Sequence, residues 1–454
     1  MKRTKQAMGA LLLAAAVTLS GCGSMGFDAE DYLMPPRPNG VLAEIQDTLE
    51  AYAGADYTLK YPRSGEYRSA IILKDLDSDG QEEALAFYRP ASESGGTHFV
   101  VIDVVDHHWK VVSEVIGPGV DVERVVLTHF DHSAPLSILV GWNMYSRDKV
   151  GTVYYYAQER LTTSLTDFSY TEMLVDDFNG DGCNELFALL LNTTDQTATA
   201  RLLSRNSEYG RMQAISELEL DGNISAYAQV QSGNLAPGQQ PGVILDEYKS
   251  STTLQTEIVY WNVDQNALSV AQDIQMDDRK LSLLRDSTVC SRDINQDGVL
   301  EFPTLQYCVR TENPPEAAGN LAGGGDYSEL RAQKEYYLVW MMLTSPQTAE
   351  VAAYSVSMDA YYFLLPPERA QEWMQSLYYK YDETAQTLTF YSMTDEPELQ
   401  IRAYTDTEWS RSGKTDEFTE LKRANGTVYA VQQRAGGFVT QEDIQFIAGH
   451  FYFN

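Results

Sequence analysis

The nine residues from Asp75 to Glu83, Asp-Leu-Asp-Ser-Asp-Gly-Gln-Glu-Glu, recur twice later in the chain, and these copies decide the fold that the sequence predicts. The second copy reads Asp-Phe-Asn-Gly-Asp-Gly-Cys-Asn-Glu over residues 177–185, and the third reads Asp-Ile-Asn-Gln-Asp-Gly-Val-Leu-Glu over residues 293–301. All three fit the pattern D-x-[DN]-x-D-G-x-x-E. Side-chain oxygens at positions 1, 3 and 5 of such a loop converge on one point, and Gly at position 6 permits the sharp turn. The pattern therefore predicts three loops that bind Ca²⁺ through oxygen atoms alone.

The predicted ligands occupy positions 1, 3, 5, 7 and 9, and position 7 contributes its backbone carbonyl. They are Asp75, Asp77, Asp79, Gln81 and Glu83 in the first loop, Asp177, Asn179, Asp181, Cys183 and Glu185 in the second, and Asp293, Asn295, Asp297, Val299 and Glu301 in the third. Asn at position 3 lowers the ligand charge of the second and third loops, so these are expected to bind more weakly. We expect about three structural ions, one in each loop. The alternative for each loop is an Asp/Asn/Gly turn without metal.

An EF-hand begins with the same residues, but this interpretation fails on two counts. An EF-hand requires a bidentate acid at position 12, where this chain has Ala86, Ala188 and Thr304. The residues that follow the loops, such as residues 84–88, favour a strand instead of the second helix of an EF-hand.

The spacing of the loops indicates further repeats between them. They begin 102 and 116 residues apart, about twice the length of a four-stranded sheet, so a degenerate copy is expected midway in each interval. In the first interval, residues 125–127 and 136–142 keep the strand pattern without the acidic ligands; in the second, residues 232–235 and 242–246 fit less well. We therefore predict a mainly β fold, with one short helix and a β-propeller-like repeat domain with calcium loops over residues 41–345.

The nine-residue loop between two strands resembles the calcium loops of integrin α-subunit propellers, known as FG-GAP or VCBS repeats. The resemblance covers residues 65–345, although no Phe-Gly or Gly-Ala-Pro pair lies near the loops. It implies a β-propeller that is stabilised by Ca²⁺. The whole arrangement most resembles surface lipoproteins of unknown function from Gram-positive bacteria, which carry such repeats behind a Pro-rich tether.

Residues 1–22 predict an export signal that ends in a lipid attachment site. Three basic residues precede an apolar run that is too short to span a bilayer comfortably. The run ends in Leu19-Ser-Gly-Cys22, which resembles the lipobox of bacterial lipoproteins and implies cleavage before Cys22 and acyl chains such as palmitate on this residue. We expect Cys22 to anchor the protein on the extracytoplasmic face of the cell membrane, with residues 23–40 as a Pro/Gly tether. The alternative is an ordinary secretory signal with a chance cysteine.

Charge and cysteine content exclude several classes of protein. The 454 residues include 33 Lys+Arg and 65 Asp+Glu, which gives a formal net charge of −32. A protein this acidic repels nucleic-acid phosphates, so nucleic acid is excluded as a partner. The four cysteines form no C-x-x-C pair, which excludes a zinc ribbon or a thioredoxin motif. Cys290 and Cys308 are expected to be two buried thiols, with a disulfide between them as the alternative.

Beyond residue 345 the repeat stops, and residues 346–454 predict a small C-terminal α+β domain. Residues 361–365 read as a strand, residues 368–377 as a helix, and three further strands precede a final helix capped by Thr440. Residues 311–328 read as a mobile loop inserted after the third calcium loop.

No catalytic motif is present, since HExxH, GxSxG, Walker and GxGxxG sequences are all missing. His129 and His132 have the spacing of a metal-binding HxxH pair but are assigned to a solvent-facing turn. We therefore expect a binding or interaction protein, not an enzyme, whose ligand is a protein or a cell-surface glycan. The alternative is a polysaccharide-degrading lyase or hydrolase on a propeller scaffold. A solute-binding lipoprotein is disfavoured, because it would have two α/β lobes.

Overall fold

The computed structural model describes residues 40–453 apart from residues 55, 93–94, 133–134, 146–148, 207–208, 239–240, 309–334 and 414–416. Within these ranges the fold is mainly β, as the sequence predicts. The strands form six sheets, and nearly all neighbouring strands run antiparallel.

Sheets 1 to 3 are built from strands that follow one another along the chain. Sheet 1 contains β1 (Tyr57–Lys60), β2 (Ile71–Lys74), β3 (Glu83–Pro90), β4 (His98–Val105) and β5 (His108–Ile116), with both β1 and β2 on the same edge of β3. Sheet 2 contains β6 (Asp121–Thr128), β7 (Ser137–Asn143), β8 (Lys149–Ala157) and β9 (Arg160–Tyr170). Sheet 3 contains β10 (Glu172–Asp176), β11 (Glu185–Asn192), β12 (Thr197–Asn206) and β13 (Arg211–Leu220).

Sheets 4 to 6 include longer connections. Sheet 4 contains β14 (Tyr227–Asn234), β15 (Pro241–Tyr248), β16 (Leu254–Asn262), β17 (Ala267–Val270) and β20 (Leu284–Arg285). Sheet 5 contains β18 (Gln275–Met276), β19 (Arg279–Lys280), β21 (Phe302–Tyr307), β22 (Tyr336–Ser345), β23 (Thr348–Ser357), β24 (Tyr361–Leu364) and β30 (Phe451–Phe453). Sheet 6 contains β25 (Leu377–Asp382), β26 (Thr387–Ser392), β27 (Pro397–Thr405), β28 (Thr419–Ala424) and β29 (Thr427–Gln433).

The described helices lie at the start of the chain and around sheet 6. They are α1 (Val41–Ala53), α2 (Ala370–Ser376), the short α3 (Asp406–Glu408), which continues into a π-turn over Trp409–Gly413, and α4 (Gln441–Gly449). Among the described residues, no helix combines the length and the apolar character needed to cross a bilayer.

Successive sheets pack face to face, which explains why their central strands read as continuous apolar runs. In β7, Ile138 and Val140 pack toward sheet 1, whereas Leu139 between them packs toward sheet 3. In β15, Leu245 packs toward sheet 3 and Ile244 toward sheet 5. Because side chains alternate between the two faces of a strand, a strand between two neighbouring sheets can bury apolar residues at consecutive positions.

The two outermost faces of the described stack are covered by other elements. Ile45 and Leu49 of α1 pack on the face of sheet 1 that points away from sheet 2, against residues that include Ala86 and Val100. At the other end, Trp409 and its neighbours pack on an outer cluster of sheet 6. The buried cluster on the outer face of sheet 1 is thus completed by a helix.

Several expectations about individual elements are confirmed. The degenerate copies of the repeat that were expected midway between the loops do form β-sheets. Residues 125–127 lie in β6, residues 137–142 in β7 and residues 242–246 in β15. The helix at 41–52, the strand at 361–364 and the final helix with its Thr440 cap also form.

Other expectations are corrected or lie outside the described residues. The alternative of a Cys290–Cys308 disulfide is wrong, since both are free thiols; Cys308 is buried and Cys290 is half-buried. The boundary predicted after residue 345 falls in the turn between β22 and β23, which are neighbours in sheet 5. The export signal, the tether and the loop at 311–328 lie outside the described residues, apart from Gly40.

Candidate metal centres

The three acidic loops occupy equivalent places in alternate sheets. Loop 1 (residues 75–83) joins β2 to β3, and loop 2 (residues 177–185) joins β10 to β11. Loop 3 (residues 293–301) leads into β21 and is closed by a bridge between Arg292 and Glu301. In each case the loop ends at the first residue of a strand or directly before it, so the sheet fixes the position-9 glutamate.

The backbone of each loop wraps around its own carboxylates in the same way. The position-1 carboxylate accepts the N–H of the position-6 glycine, at 3.2 Å for Asp75–Gly80, 2.9 Å for Asp177–Gly182 and 2.9 Å for Asp293–Gly298. The position-5 carboxylate accepts the N–H of position 7, at 2.8 Å for Asp79–Gln81, 2.8 Å for Asp181–Cys183 and 2.9 Å for Asp297–Val299. These bonds keep the side chains of positions 1 and 5 on the inside of the turn.

Two positions of every loop adopt left-handed backbone angles. The position-6 glycines have φ of 92°, 87° and 88° in loops 1, 2 and 3. The position-4 residues Ser78, Gly180 and Gln296 also have positive φ, at 68°, 75° and 64°. Glycine adopts this region without a steric penalty, which is why position 6 is invariant among the three copies.

The position-9 glutamate is fully buried in all three loops, and its Oε2 accepts the backbone N–H of position 2. The three N···O distances are 2.7 Å for Leu76–Glu83, 3.0 Å for Phe178–Glu185 and 2.9 Å for Ile294–Glu301. The position-2 side chains are themselves buried, with exposed fractions of 0%, 2% and 1%. Position 2 was left unspecified in the sequence pattern, although its apolar character in all three copies is the signal that could have identified it as the anchor of the loop.

In loops 1 and 3, the arrangement of the carboxylate oxygen atoms suits a divalent cation. Asp75, Asp77 and Glu83 place carboxylate oxygens within 4.8 Å of one another. Oε1 of Glu83 is buried and has no hydrogen-bond partner among the described residues. Burial, together with a smaller effect of the negative charge of Asp77, raises the pKa of Glu83 to about 7. A hard cation such as Ca²⁺ would supply the partner that this oxygen lacks.

Loop 3 repeats this arrangement with a different set of acids. The carboxylate oxygens of Asp293, Asp297 and Glu301 also lie within 4.8 Å of one another, and in the described part of the chain Oε1 of Glu301 is buried without a partner. Burial raises the pKa of Glu301 to about 7. Asn295 donates through Nδ2 to Asp297 at 2.9 Å, so the amide must turn for its oxygen to face an ion.

Loop 2 differs because a side-chain amide already donates a hydrogen bond to its position-9 glutamate. Nδ2 of Asn179 donates to Oε1 of Glu185 at 2.7 Å and to Oδ2 of Asp181 at 3.1 Å. Burial still raises the pKa of Glu185, to about 8. Loop 2 can therefore close through its own hydrogen bonds, and a cation there would have to displace the amide nitrogen.

Loops 2 and 3 each dock onto the sheet that precedes them through position 8. The N–H of Asn184 donates to the carbonyl of His129 at 3.2 Å, and the N–H of Leu300 donates to the carbonyl of Asn234 at 2.8 Å. His132 also approaches loop 2, with Nε2 3.4 Å from the carbonyl oxygen of Asp181. The loops thus fasten neighbouring sheets together.

The predicted site residues are therefore grouped as follows. The side chains of positions 1, 5 and 9 surround a common point in loop 3, and those of positions 1, 3 and 9 do so in loop 1. Gln81, Cys183 and Val299 take part through their backbone N–H groups, and their role as carbonyl ligands stays a prediction. Cys22 lies outside the described residues.

Neither a family model nor a curated protein matches the sequence. Among solved structures, the chain is similar to the exotype rhamnogalacturonan lyase YesX, with 12% identity, a TM-score of 0.22, and coverage of 53% of this chain and 60% of the lyase. It is similar to Sqt1 of Saccharomyces cerevisiae with 10% identity, a TM-score of 0.30, and coverage of 78% and 84%. For fructan 1-exohydrolase IIa of Cichorium intybus the identity is 8%, the TM-score 0.27, and the coverage 76% and 65%. The chain spans less than two thirds of the lyase and of the exohydrolase, and similarities this low carry no argument about activity.

Proposed function

We propose that this protein is a calcium-stabilised binding protein that is anchored by a lipid on Cys22 to the extracytoplasmic face of the cell membrane. Its propeller-like stack of sheets presents loops to a protein or a cell-surface glycan. The observation that carries the proposal is the pair of fully buried glutamates, Glu83 and Glu301, each with one carboxylate oxygen that meets no donor. A buried carboxylate oxygen without a partner is unfavourable unless a cation or a proton satisfies it.

Calcium would stabilise the folded protein and would not take part in a reaction. In each loop the carboxylates are held by N–H groups of the same loop, and the loop is fixed at both ends by strands or by a bridge. A cation there lowers the repulsion among the acids of a chain whose formal net charge is −32. Folding is therefore linked to calcium concentration, and affinities of about 10⁻⁴ to 10⁻³ M suit an extracellular protein.

The lipid anchor is proposed from the Leu19-Ser-Gly-Cys22 sequence alone. Acyl chains on one cysteine hold a protein at a bilayer, since each buried methylene contributes about 0.8 kcal/mol. The tether at residues 23–40 would hold the sheets away from the membrane surface, where an acidic body is repelled by anionic headgroups.

The proposal is tested by immobilising the full chain in lipid vesicles and exposing it to proteins and glycans from cell surfaces, in millimolar Ca²⁺ and in chelator. Material that is retained only with Ca²⁺ supports a binding protein whose surface the ions organise. No retention in either condition by a folded protein would contradict it. Release of shortened polysaccharide chains from the extract would instead favour an enzyme.

A further inference from the structure

A polar cleft of about 400 Å³ opens between loop 1 and loop 2. Its lining includes Lys74 at the end of β2 and Tyr67 in the connection before that strand, Thr128 at the end of β6 and the following His129, and Asn184 of loop 2. Its volume falls within the roughly 300 to 1,000 Å³ of small-molecule sites. The cleft lies beside sheet 2. This sheet has the strand pattern of the repeat, but its corresponding loop lacks the acidic ligands.

Both walls of the cleft are fastened to sheet 2 by hydrogen bonds from the acidic loops. On one side, the N–H of Leu136 donates to the carbonyl of Leu76 in loop 1 at 3.1 Å. On the other, Asn184 of loop 2 donates through Nδ2 to Thr128 Oγ1 at 2.7 Å, in addition to its backbone bond to His129. The shape of the cleft therefore depends on the conformation of loops 1 and 2.

The lining combines apolar surface with hydrogen-bonding groups at its edge. Leu136 is buried, and Tyr67 and Leu127 are partly buried and pack against the core shared by sheets 1 and 2. Around them stand the ammonium of Lys74 and the imidazole of His129, both exposed. Lys74 makes no ion pair within the described part of the chain, so its donors are free for a ligand. The lining is more polar than apolar and also includes Asp75 and Ser78 of loop 1, so it suits a ligand with many hydrogen-bonding groups.

The charge of the protein restricts the class of ligand. A formal net charge of −32 repels polyanions from the whole surface, and a single exposed lysine does not reverse a field of that size. A ligand rich in hydroxyl groups but without charge avoids this repulsion. It also uses both parts of the lining, since sugar rings present an apolar face to Tyr67 and hydroxyls to the donors.

We infer that the cleft between loops 1 and 2 binds a neutral oligosaccharide, and that Ca²⁺ in loop 1 is required because it fixes the wall that this loop forms. The inference rests on the proposed function and deepens it, by selecting a glycan and assigning it a site. Lys74, His129 and Asn184 donate hydrogen bonds to hydroxyl groups, and the ring of Tyr67 packs against one sugar.

The test is calorimetric titration of the full chain with cellotriose, maltotriose and chitotriose, in millimolar Ca²⁺ and in chelator, with trigalacturonate as the acidic comparison. We expect a neutral trisaccharide to bind, and binding to weaken roughly tenfold or more in the double variant Lys74→Ala/His129→Ala. Tyr67→Phe, which keeps the ring, should weaken binding less. The matched control Lys280→Ala/His108→Ala removes an exposed lysine and an exposed histidine that do not line the cleft and should leave binding unchanged.

The melting temperature of each variant in Ca²⁺ and in chelator separates failure of this inference from failure of the proposed function. If Ca²⁺ raises the melting temperature but no neutral trisaccharide binds, the cleft assignment is overturned while the calcium sites stand. Binding of trigalacturonate alone, or equal binding by Lys74→Ala/His129→Ala and its control, would also overturn it. If Ca²⁺ changes neither melting temperature nor binding, the proposed function itself fails.

Discussion

The backbone N–H of Leu76 donates to Oε2 of Glu83 at 2.7 Å, while Oε1 of the same carboxylate is buried without a donor. One hydrogen bond thus orients the glutamate, and its second oxygen faces the acids of the loop. The same relationship joins Ile294 to Glu301 at 2.9 Å. A side chain held in this way is pre-organised for a cation, because its position is set by the sheet and not by the ion.

Replacing Glu83 by Gln should remove most of the stabilisation that Ca²⁺ gives through loop 1. The amide keeps the size of the side chain but loses the charge. In chelator the variant should be at least as stable as the natural protein, because a buried carboxylate is removed. With a Kd of about 10⁻⁴ to 10⁻³ M, Ca²⁺ at about 1 mM adds about 0.4 to 1.4 kcal/mol per site to the free energy of unfolding, so the loss should be of that size.

The measurement is thermal unfolding of Glu83→Gln in millimolar Ca²⁺ and in chelator. Glu82→Gln is the matched control, since Glu82 is exposed and lies at a position that the pattern leaves unspecified. An equal calcium-induced rise in melting temperature for the two variants would mean that Glu83 holds no ion.

Asn179→Asp should convert loop 2 into a tighter calcium site like loop 1, which has Asp77 at the same position. The change removes the donor that satisfies Glu185 Oε1 at 2.7 Å, so the variant should be less stable in chelator by about 1 to 3 kcal/mol. In Ca²⁺ the added carboxylate strengthens binding. Asn295→Asp, which removes no bond to a glutamate, should show the gain in affinity with a smaller loss in chelator. Equal calcium affinity of Asn179→Asp and the natural protein, by calorimetry, would contradict this account.

The sequence predicts the features that depend on residues close together in the chain. The Asp, Gly and Glu positions of the loops lie within nine residues, and the midway sheets follow from a regular spacing. The apolar anchor at position 2 was missed because each of Leu76, Phe178 and Ile294, taken alone, is unremarkable in a chain of strands.

Contacts between distant residues could not be predicted from one sequence. The buried pair Asp246 and Arg285 lies 39 residues apart, in strands that only the topology of sheet 4 brings together. The packing of α1 on sheet 1 is a second contact of this kind. The amphipathic pattern predicts a helix but does not indicate which apolar surface the helix packs against.

Cys22→Ala should move the protein from the membrane fraction to the soluble fraction. The acyl chains that a lipobox cysteine carries account for the attachment, and the acidic body is itself repelled by anionic lipids. Fractionation of cells that express the variant is the measurement, with Cys290→Ala as the control that keeps the lipid. A Cys22→Ala protein that still sediments with membranes would show that the lipobox interpretation is wrong.

Arg285→Met should destabilise the protein strongly. Arg285 and Asp246 have exposed fractions of 4% and 1%. They form an ion pair at 2.7 Å, and Arg285 also donates to Thr256 Oγ1 at 2.6 Å. Removing one partner of a buried pair leaves a buried charge, so we expect a loss of about 3 to 5 kcal/mol in the free energy of unfolding by denaturant titration.

Two further variants separate the charge from the packing at this pair. Asp246→Leu/Arg285→Met should recover much of the loss, because no unpaired charge remains. Lys280→Met breaks an exposed ion pair with Asp273 and should change stability by about 1 kcal/mol or less. If Arg285→Met is no more destabilising than Lys280→Met, the buried pair contributes little.

The buried carboxyl group of Glu247 should lower the free energy of unfolding as the pH rises. It is fully buried, and burial followed by the charge of Glu257 raises its pKa to about 9. Burial also raises the pKa of Glu257, and the nearby Lys249 is paired with Asp221 at 2.5 Å. The folded protein thus keeps a proton that the unfolded chain releases above the ordinary pKa of 4.5.

Because the folded state binds more protons, the free energy of unfolding should fall between about pH 5 and pH 9, by up to about 1.4 kcal/mol per pH unit for one proton. Glu247→Gln is neutral at every pH and should flatten this slope, with the largest gain in stability near pH 9. Glu219→Gln, which changes an exposed acid near the end of β13 in sheet 3, is the control for removing an acidic side chain that is not buried. The measurement is denaturant unfolding at several pH values in chelator, which keeps calcium binding from contributing. A slope that is the same in Glu247→Gln and in the natural protein would mean that the carboxyl of Glu247 does not hold the proton.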